Sequence, residues 1–246
     1  MTDERATSFG AQAGDYEVGR PEYPFDAVAW MLERMPEGSR RIADVGAGTG
    51  KLTRALVAAP GAEVVALDPD QAMLAALRDA IPGVPTFVGS AERLPLPDSS
   101  VDAVVLGQAW HWVEPVVASV EIGRVVRSGG VLGLIWNIRD ERQEWVRRLT
   151  EIMHGSAAEE MLAAGDPVVD APFGPLEQEL WEWTRQMTRA QLHSMATSRS
   201  YVITASDDER ARIRQDMDAL FDELGLDDAG VIELPYVTRA FRAIRS

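Results

Sequence analysis

The sequence predicts an α/β protein, a doubly wound seven-stranded mostly parallel sheet of Rossmann-like type with a helical cap. Three observations carry this. Short apolar runs alternate with helix-spaced segments between Arg40 and Asn137, as successive βαβ units require. A glycine-rich turn, Asp44-Val45-Gly46-Ala47-Gly48-Thr49-Gly50, falls where the first apolar run gives way to the first helical segment. The chain's 246 residues suffice for one large domain and would be tight for two.

The runs Arg41 to Val45, Glu63 to Leu67, Thr86 to Val88, Val101 to Leu106 and Val131 to Trp136 are β-branched or aliphatic and bounded by Gly, Pro, Asp or Ser, so they read as five parallel strands. Between them, Leu52 to Ala58, Gln71 to Ile81 and Val116 to Arg127 have helical spacing, and Asp68-Pro69-Asp70 suits the start of the second. Right-handed crossovers wind these helices around the sheet. Beyond Asn137 come a charged helical stretch, Asp140 to His154, a Pro/Gly/Asp loop, Gly165 to Pro175, and an alternating sixth strand, Glu177 to Arg185. Gln191 to Thr197 and Ser206 to Leu224 read as helices, the latter with Ser206 as N-cap and acids in its first turn. Val231 to Ile244 supplies a last strand. One domain over 1–246 is expected: an N-terminal lid or helix in 1–39, a cofactor-binding core in 40–137, cap helices and the sixth strand in 138–230, and the final strand in 231–246.

A net charge of −15 opposes approach to a phosphodiester backbone, so a nucleic-acid substrate is not expected. The absence of cysteine excludes disulfides, thiolate metal sites and cysteine nucleophiles. The polar start of the chain and the lack of an apolar run of about 20 residues lead to the expectation of a cytoplasmic protein with no membrane partner. Oligomeric state is not legible.

Glycines at a strand-to-helix turn permit positive φ and bring a ligand close to the main chain. The dinucleotide fingerprint G-x-G-x-x-G requires glycine where this chain has Lys51; the spacing here is G-x-G-x-G. Asp68, at the end of the second strand, is placed to accept hydrogen bonds from a ribose. Asp44, just before the turn, would repel the phosphates of a dinucleotide and attract a sulfonium and an ammonium. Charge therefore favours S-adenosyl-L-methionine over NAD.

These residues resemble the class I S-adenosylmethionine-dependent methyltransferases. Ala91 to Asp102 is similar to the family's approach to its fourth strand, and Arg124 to Leu132 to its approach to the fifth. Tyr16, Arg20-Pro21, Tyr23-Pro24 and Ala109-Trp110-His111-Trp112 resemble a small-molecule subgroup that includes the trans-aconitate methyltransferases. The resemblance implies that the sheet takes the last strand antiparallel, that Gly46, Ala47, Gly48 and Gly50 hold the methionine moiety and Asp68 the ribose, and that Pro69 and Met73 border the adenine. It implies adenine contacts at Ser90 and Ala91, where many relatives have an acid, an ammonium contact at Gln108, and carboxylate contacts from Tyr16 and Arg20.

Methyl transfer needs orientation and exclusion of water, not a covalent intermediate or a metal. His111 is the candidate catalytic group, either as a base for a hydroxyl acceptor or as a positioning residue held by its tryptophans. Tyr23, Trp110, Trp112 and Trp136 are candidates for the wall of an acceptor pocket, with core packing as the alternative for the tryptophans. His154 and His193 have no metal-ligand spacing and read as structural or exposed; Arg139 and Arg199 could hold an acceptor carboxylate, but an arginine in a charged segment is more often a solvated or salt-bridged surface group, and neither is taken as catalytic. The expected activity is methylation of a carboxylate or hydroxyl oxygen on a small molecule. An NAD-dependent oxidoreductase and a cofactor-binding scaffold are the competing readings.

Overall fold

The computed structural model describes residues 21–197, 202 and 205–246; Tyr16, Arg20 and Arg199 lie outside them. Seven strands, β1 (Arg41–Val45), β2 (Glu63–Asp68), β3 (Thr86–Val88), β4 (Val101–Gly107), β5 (Val126–Arg139), β6 (Glu177–Thr188) and β7 (Val231–Ile244), form one sheet in the order β3-β2-β1-β4-β5-β7-β6. The first five are parallel, and β7 is inserted antiparallel to both β5 and β6. β1 and β4 are almost wholly buried, as expected of aliphatic strands covered on both faces.

The helices are α1 (Phe25–Leu32), α2 (Lys51–Val57), α3 (Gln71–Ala80), α4 (Pro115–Val125), α5 (Glu144–Met153), α6 (Ala157–Ala164), α7 (Arg189–Thr197) and α8 (Asp207–Glu223). Their starts have chemical causes. Asp70 accepts the Ala72 N–H to cap α3, Glu114 accepts the Val117 N–H to cap α4, and Ser206 accepts the Glu209 N–H to cap α8. Ser156 and Glu159 close a reciprocal capping box on α6, a helix that the Ser-x-x-Glu spacing announces but the apolar pattern alone does not.

Several boundaries differ from the sequence expectation. α4 ends at Val125 rather than Arg127, and β5 begins at Val126 rather than Val131. The β4–β5 register shifts between Val101 and Ala103, which oppose Val126 and Val131, so residues 127–130 form an excursion within the strand. Gly130 sits so close to β4 that a Cβ there would lie 2.5 Å from the Asp102 carbonyl oxygen. β6 runs on to Thr188 because β7 pairs with it along its full length, from Glu177 opposite Arg242 to Thr188 opposite Val231.

This long pairing builds a second core. Arg139, the last residue of β5, opposes Tyr236, so Val231 to Pro235 and their β6 partners project beyond the carboxyl edge of the parallel strands. α5, α7 and α8 pack on that projection through Leu149, Met153, Leu192, Met217 and Phe221 against Met187, Leu234 and Tyr236. α6 instead joins the main core through Ala158 and Leu162. All four helices thus stand at the end of the sheet where the βα turns open.

At the opposite edge, the buried Asp102 ties three segments together. Its Oδ2 accepts the N–H groups of Arg40 and Arg41 at 2.9 and 2.8 Å, and its Oδ1 accepts from the Arg127 guanidinium at 2.8 Å. Burial opposes the charge, but the two N–H groups and Arg127 outweigh it and hold the carboxyl below its ordinary value. Asp102→Asn should therefore cost roughly 2–4 kcal/mol at pH 7. Because the folded-state pKa is depressed, the difference between the two proteins in urea unfolding should be full above the ordinary carboxylate range and shrink as pH falls through it.

Candidate active site

The turn after β1 is held by its own main chain. Gly46 and Ala47 both donate to the Leu67 carbonyl, at 2.8 and 3.0 Å, Gly48 donates to Asp68 Oδ2 at 2.9 Å, and Gly50 donates to the Ala47 carbonyl at 2.9 Å. Gly46 (φ +71°) has no room for a side chain, since a Cβ would lie 2.6 Å from that of Ala109. Gly48 (φ +54°) would meet nothing within 4 Å, so its backbone conformation alone calls for glycine and its outer face is open. With these four N–H groups committed internally, they form no cradle for a phosphate.

Two buried carboxylates flank the turn. Asp44 is fully buried; its Oδ2 accepts from Thr53 Oγ1 at 2.6 Å, while its Oδ1 has no hydrogen-bond partner. Burial pushes its pKa from 3.8 up to about 7, the Thr53 hydroxyl pulling it down and Asp68 adding to the rise. Asp68 accepts the Asp70 N–H on Oδ1 at 2.8 Å and the Gly48 N–H on Oδ2, and burial raises its pKa against both bonds. Each of its oxygens keeps a second lone pair.

Asp44, Gly46, Ala47 and Thr49 line a cleft with Lys51 and Leu52 of α2, Gly107, Gln108 and Asn137 from the ends of β4 and β5, and Pro21 and Tyr23 from the N-terminal side. Its empty space is about 430 Å³, open solvent included. Five expected site residues, Tyr23, Asp44, Gly46, Ala47 and Gln108, meet there. Gly48 and Asp68 adjoin it through their mutual bond, whereas Gly50 packs towards Ile81 and Leu77 of the α3 region. Pro69 is exposed, Met73 is buried on α3, Ser90 bridges to Arg93 after β3, and Ala91 is buried within that turn; none of these lines the cleft.

The sequence reading missed Asn137. Its Nδ2 donates to the Glu22 carbonyl at 3.1 Å, its Oδ1 accepts from Thr238 Oγ1 at 2.7 Å, and its carbonyl accepts from Gln108 Nε2 at 2.9 Å. A polar residue directly after the apolar run Val131 to Trp136 was the available signal. Gln108 itself has φ +56°, strained for a residue with a side chain.

The tryptophans require a correction. Trp110 and Trp136 are 1% and 0% exposed and belong to the core, not to the cleft wall. The Trp110 indole N–H donates to the Val168 carbonyl at 3.0 Å, and Trp136 meets Phe241 edge-on at 5.8 Å. Their large apolar area is best satisfied inside once each indole N–H has a partner. Half-buried His111 follows β4 in the helical turn Trp110–Trp112, 4.7 Å from the Trp112 ring, with Trp136 Nε1 donating to its Nδ1 at 3.5 Å. Arg139 is buried against Thr150 Oγ1 and Glu159 and serves as an internal tie. His154 is exposed at the end of α5, and His193 pairs with Asp218 in the second core. Among the described residues, no cluster of three His, Cys, Asp or Glu suits a metal ion, and no helix is long and apolar enough to cross a membrane.

The methyltransferase-domain family pattern matches residues 43–134. An uncharacterized methyltransferase of Mycobacterium tuberculosis is 45% identical over 98% of this chain and 96% of its own length. The chain belongs to the class I S-adenosylmethionine-dependent methyltransferases. An uncharacterized methyltransferase-like protein of Schizosaccharomyces pombe is 31% identical to this methyltransferase over 95% of this chain and 94% of that one. A malonyl-[acyl-carrier protein] O-methyltransferase of Methylococcus capsulatus is 45% identical over 51% of this chain and 48% of its own. Among solved structures, a protein of Anaeromyxobacter dehalogenans, provisionally called a type II methyltransferase, superposes with a TM-score of 0.63 at 25% identity, covering 92% of this chain and 97% of that one.

The Asp44 environment generates a pH-dependent stability. Its folded-state pKa of about 7 exceeds the ordinary 3.8, so the folded methyltransferase holds a proton that the unfolded chain releases between those values. Stability is lost as pH rises through about 7, by up to about 4 kcal/mol. In urea unfolding without ligand, Asp44→Asn should be more stable than the unaltered protein at pH 8, and the gap should close towards pH 4. A gap independent of pH would contradict the assigned environment.

Proposed function

We propose that this methyltransferase binds S-adenosylmethionine in the cleft between the glycine turn and the Gln108–Asn137 pair, and methylates a carboxylate or hydroxyl oxygen of a small, partly apolar acceptor. The observation that carries the reading is that Asp44, a residue lining the cleft, has a buried Oδ1 with no hydrogen-bond partner. A buried carboxylate oxygen without a donor is costly, and a cationic ligand removes the cost. The internally committed N–H groups of the turn favour the same ligand over a dinucleotide, whose pyrophosphate would lack those donors and face two carboxylates.

Asp44 then meets the cofactor ammonium, Asp68 its ribose hydroxyls through the remaining lone pairs, and Pro69, Met73, Ser90 and Ala91 the adenine side. Tyr16 and Arg20 belong to the segment leading to Pro21 and Tyr23 on the cleft rim. When bound, S-adenosylmethionine supplies an electrophilic methyl on a sulfonium, open to in-line displacement without a metal. The protein's part is to orient and to exclude water.

His111 fits a positioning role better than that of a base. The Trp136 N–H directed at Nδ1 leaves a neutral imidazole with its proton on Nε2, a donor that holds an acceptor oxygen rather than a base that deprotonates it. An oxygen acceptor agrees with the half-length likeness to a malonyl-[acyl-carrier protein] O-methyltransferase, and the motifs around Tyr23 and His111 favour the subgroup of trans-aconitate methyltransferases. A small acceptor agrees with the net charge of −15.

Titration calorimetry should show binding of S-adenosylmethionine and S-adenosylhomocysteine and none of NADH; the reverse preference would overturn the reading. Asp68→Ala, folded as judged by circular dichroism, should weaken S-adenosylhomocysteine up to about a hundredfold. With an acceptor found by screening metabolite extracts for S-adenosylhomocysteine release, His111→Gln should keep turnover within about tenfold, whereas His111→Phe, which has no donor, should lose more than that. Equal loss in both variants would restore the base.

A further inference from the structure

Asn137 is the chain's single asparagine, and it is buried among the residues that line the cleft. Three hydrogen bonds converge on it: its Oδ1 accepts from Thr238 Oγ1, its Nδ2 donates to the Glu22 carbonyl, and its own carbonyl accepts from Gln108 Nε2. A short amide suits this position because it offers an acceptor at one end and a donor at the other. An aspartate, in a chain with 39 acidic residues, would present acceptors only and set one of them against the Glu22 carbonyl. Which end of the amide faces Glu22 is decided two strands away. Trp183 of β6 donates its indole N–H to Thr238 Oγ1 at 2.8 Å, and an indole can only donate. The Thr238 hydroxyl therefore accepts from Trp183 and places its one proton on Asn137 Oδ1 at 2.7 Å, which turns Nδ2 towards Glu22. Stacking on Tyr236 holds the indole, and Thr238, at the centre of this row across β6, β7 and β5, is fully buried.

We infer that Trp183 and Thr238 are positioning residues for the cleft: by orienting the Asn137 amide they latch the Pro21–Tyr23 rim, and the latch sets how fast the cofactor enters and leaves. The inference rests on the S-adenosylmethionine site proposed above. Pro21 and Tyr23 line the cleft on either side of Glu22. Tyr23 lies so near the end of β4 that a Cβ on Gly107 would come within 2.7 Å of its hydroxyl oxygen. The Glu22 carboxylate also meets Lys51 and Arg54, at 3.1 and 2.8 Å, but the Glu22 and Arg54 side chains are 52% and 41% exposed, so water competes with these ion pairs. The bond from Asn137 is better shielded, being made by a residue only 8% exposed. Because the latch holds the rim and not the ligand, it is equal in the free and the loaded protein. Loosening it then speeds entry and exit together and leaves affinity nearly as it was.

Labelling with 15N-asparagine gives one side-chain amide signal, because there is one asparagine. In the ligand-free protein, Thr238→Val, which keeps the shape and removes the hydroxyl, should move that signal towards the position of a free amide, and Thr238→Ser should return it. In surface plasmon resonance with the full chain immobilised, S-adenosylhomocysteine should enter and leave Thr238→Val roughly three- to tenfold faster with Kd within about threefold, while Thr238→Ser stays within about twofold of the unaltered rates. Trp183→Phe, which keeps the stacking on Tyr236 and loses the N–H, should raise both rates as Thr238→Val does. An unmoved amide signal, unchanged rates, faster exit alone with weakened affinity, or equal behaviour of the valine and serine variants would overturn the latch while leaving the cofactor site standing. Failure of the unaltered protein to bind S-adenosylhomocysteine would overturn both.

Discussion

The Leu67 carbonyl accepts the N–H groups of both Gly46 and Ala47, and this shared bond decides where the chain leaves β1. β1 lies between β2 and β4, so its exit must turn sharply before it reaches the neighbouring strand ends. The turn in turn buries Asp44 behind the loop, brings the Gly48 N–H onto Asp68, and directs α2 so that Lys51 and Leu52 face the cleft. A side chain at position 46 would strike Ala109 in the segment after β4. One carbonyl therefore couples the ends of three strands.

The cleft is also continuous with the second core through a chain of polar contacts. Trp183 Nε1 donates to Thr238, Thr238 to Asn137, and Asn137 to the Glu22 carbonyl, at 2.8, 2.7 and 3.1 Å. Trp183 stacks on Tyr236 with ring centroids 4.8 Å apart, within the cluster that holds α5, α7 and α8. Buried polar groups satisfied in series specify a single arrangement, because losing one member leaves its neighbour unpaired. The same chain holds the rim of the cleft and the base of the cap, which gives the antiparallel β7 a role beyond closing the sheet.

The charges are divided by location. Asp102, at the closed edge, is surrounded by donors and stays ionised, whereas Asp44, at the open edge, lacks a donor on one oxygen and is pushed towards neutrality. Both are buried carboxylates at a strand end. What separates a structural tie from a site poised for a cation is whether the folded chain itself completes the shell of donors.

Much of the fold was legible in sequence, because aliphatic strands buried on both faces and glycines at strand exits are local patterns. β1, β3 and β7 fall where periodicity places them, and the order of elements through β5 follows from the βαβ alternation. α6 was hidden because its apolar stripe is short and its signal is a capping box rather than a period. The residue types of the site, Asp44, the glycines and Asp68, were readable from spacing alone. Their states were not: burial and hydrogen-bond partners come from distant segments, so only the tertiary structure could leave Asp44 Oδ1 without a donor, send Trp110 and Trp136 into the core, and bring Asn137 to Glu22, a contact spanning 115 positions. Sequence determined which groups are available at the strand ends; three-dimensional packing decided which of them are already satisfied, because desolvation is a property of everything that surrounds a residue and not of its neighbours in the chain.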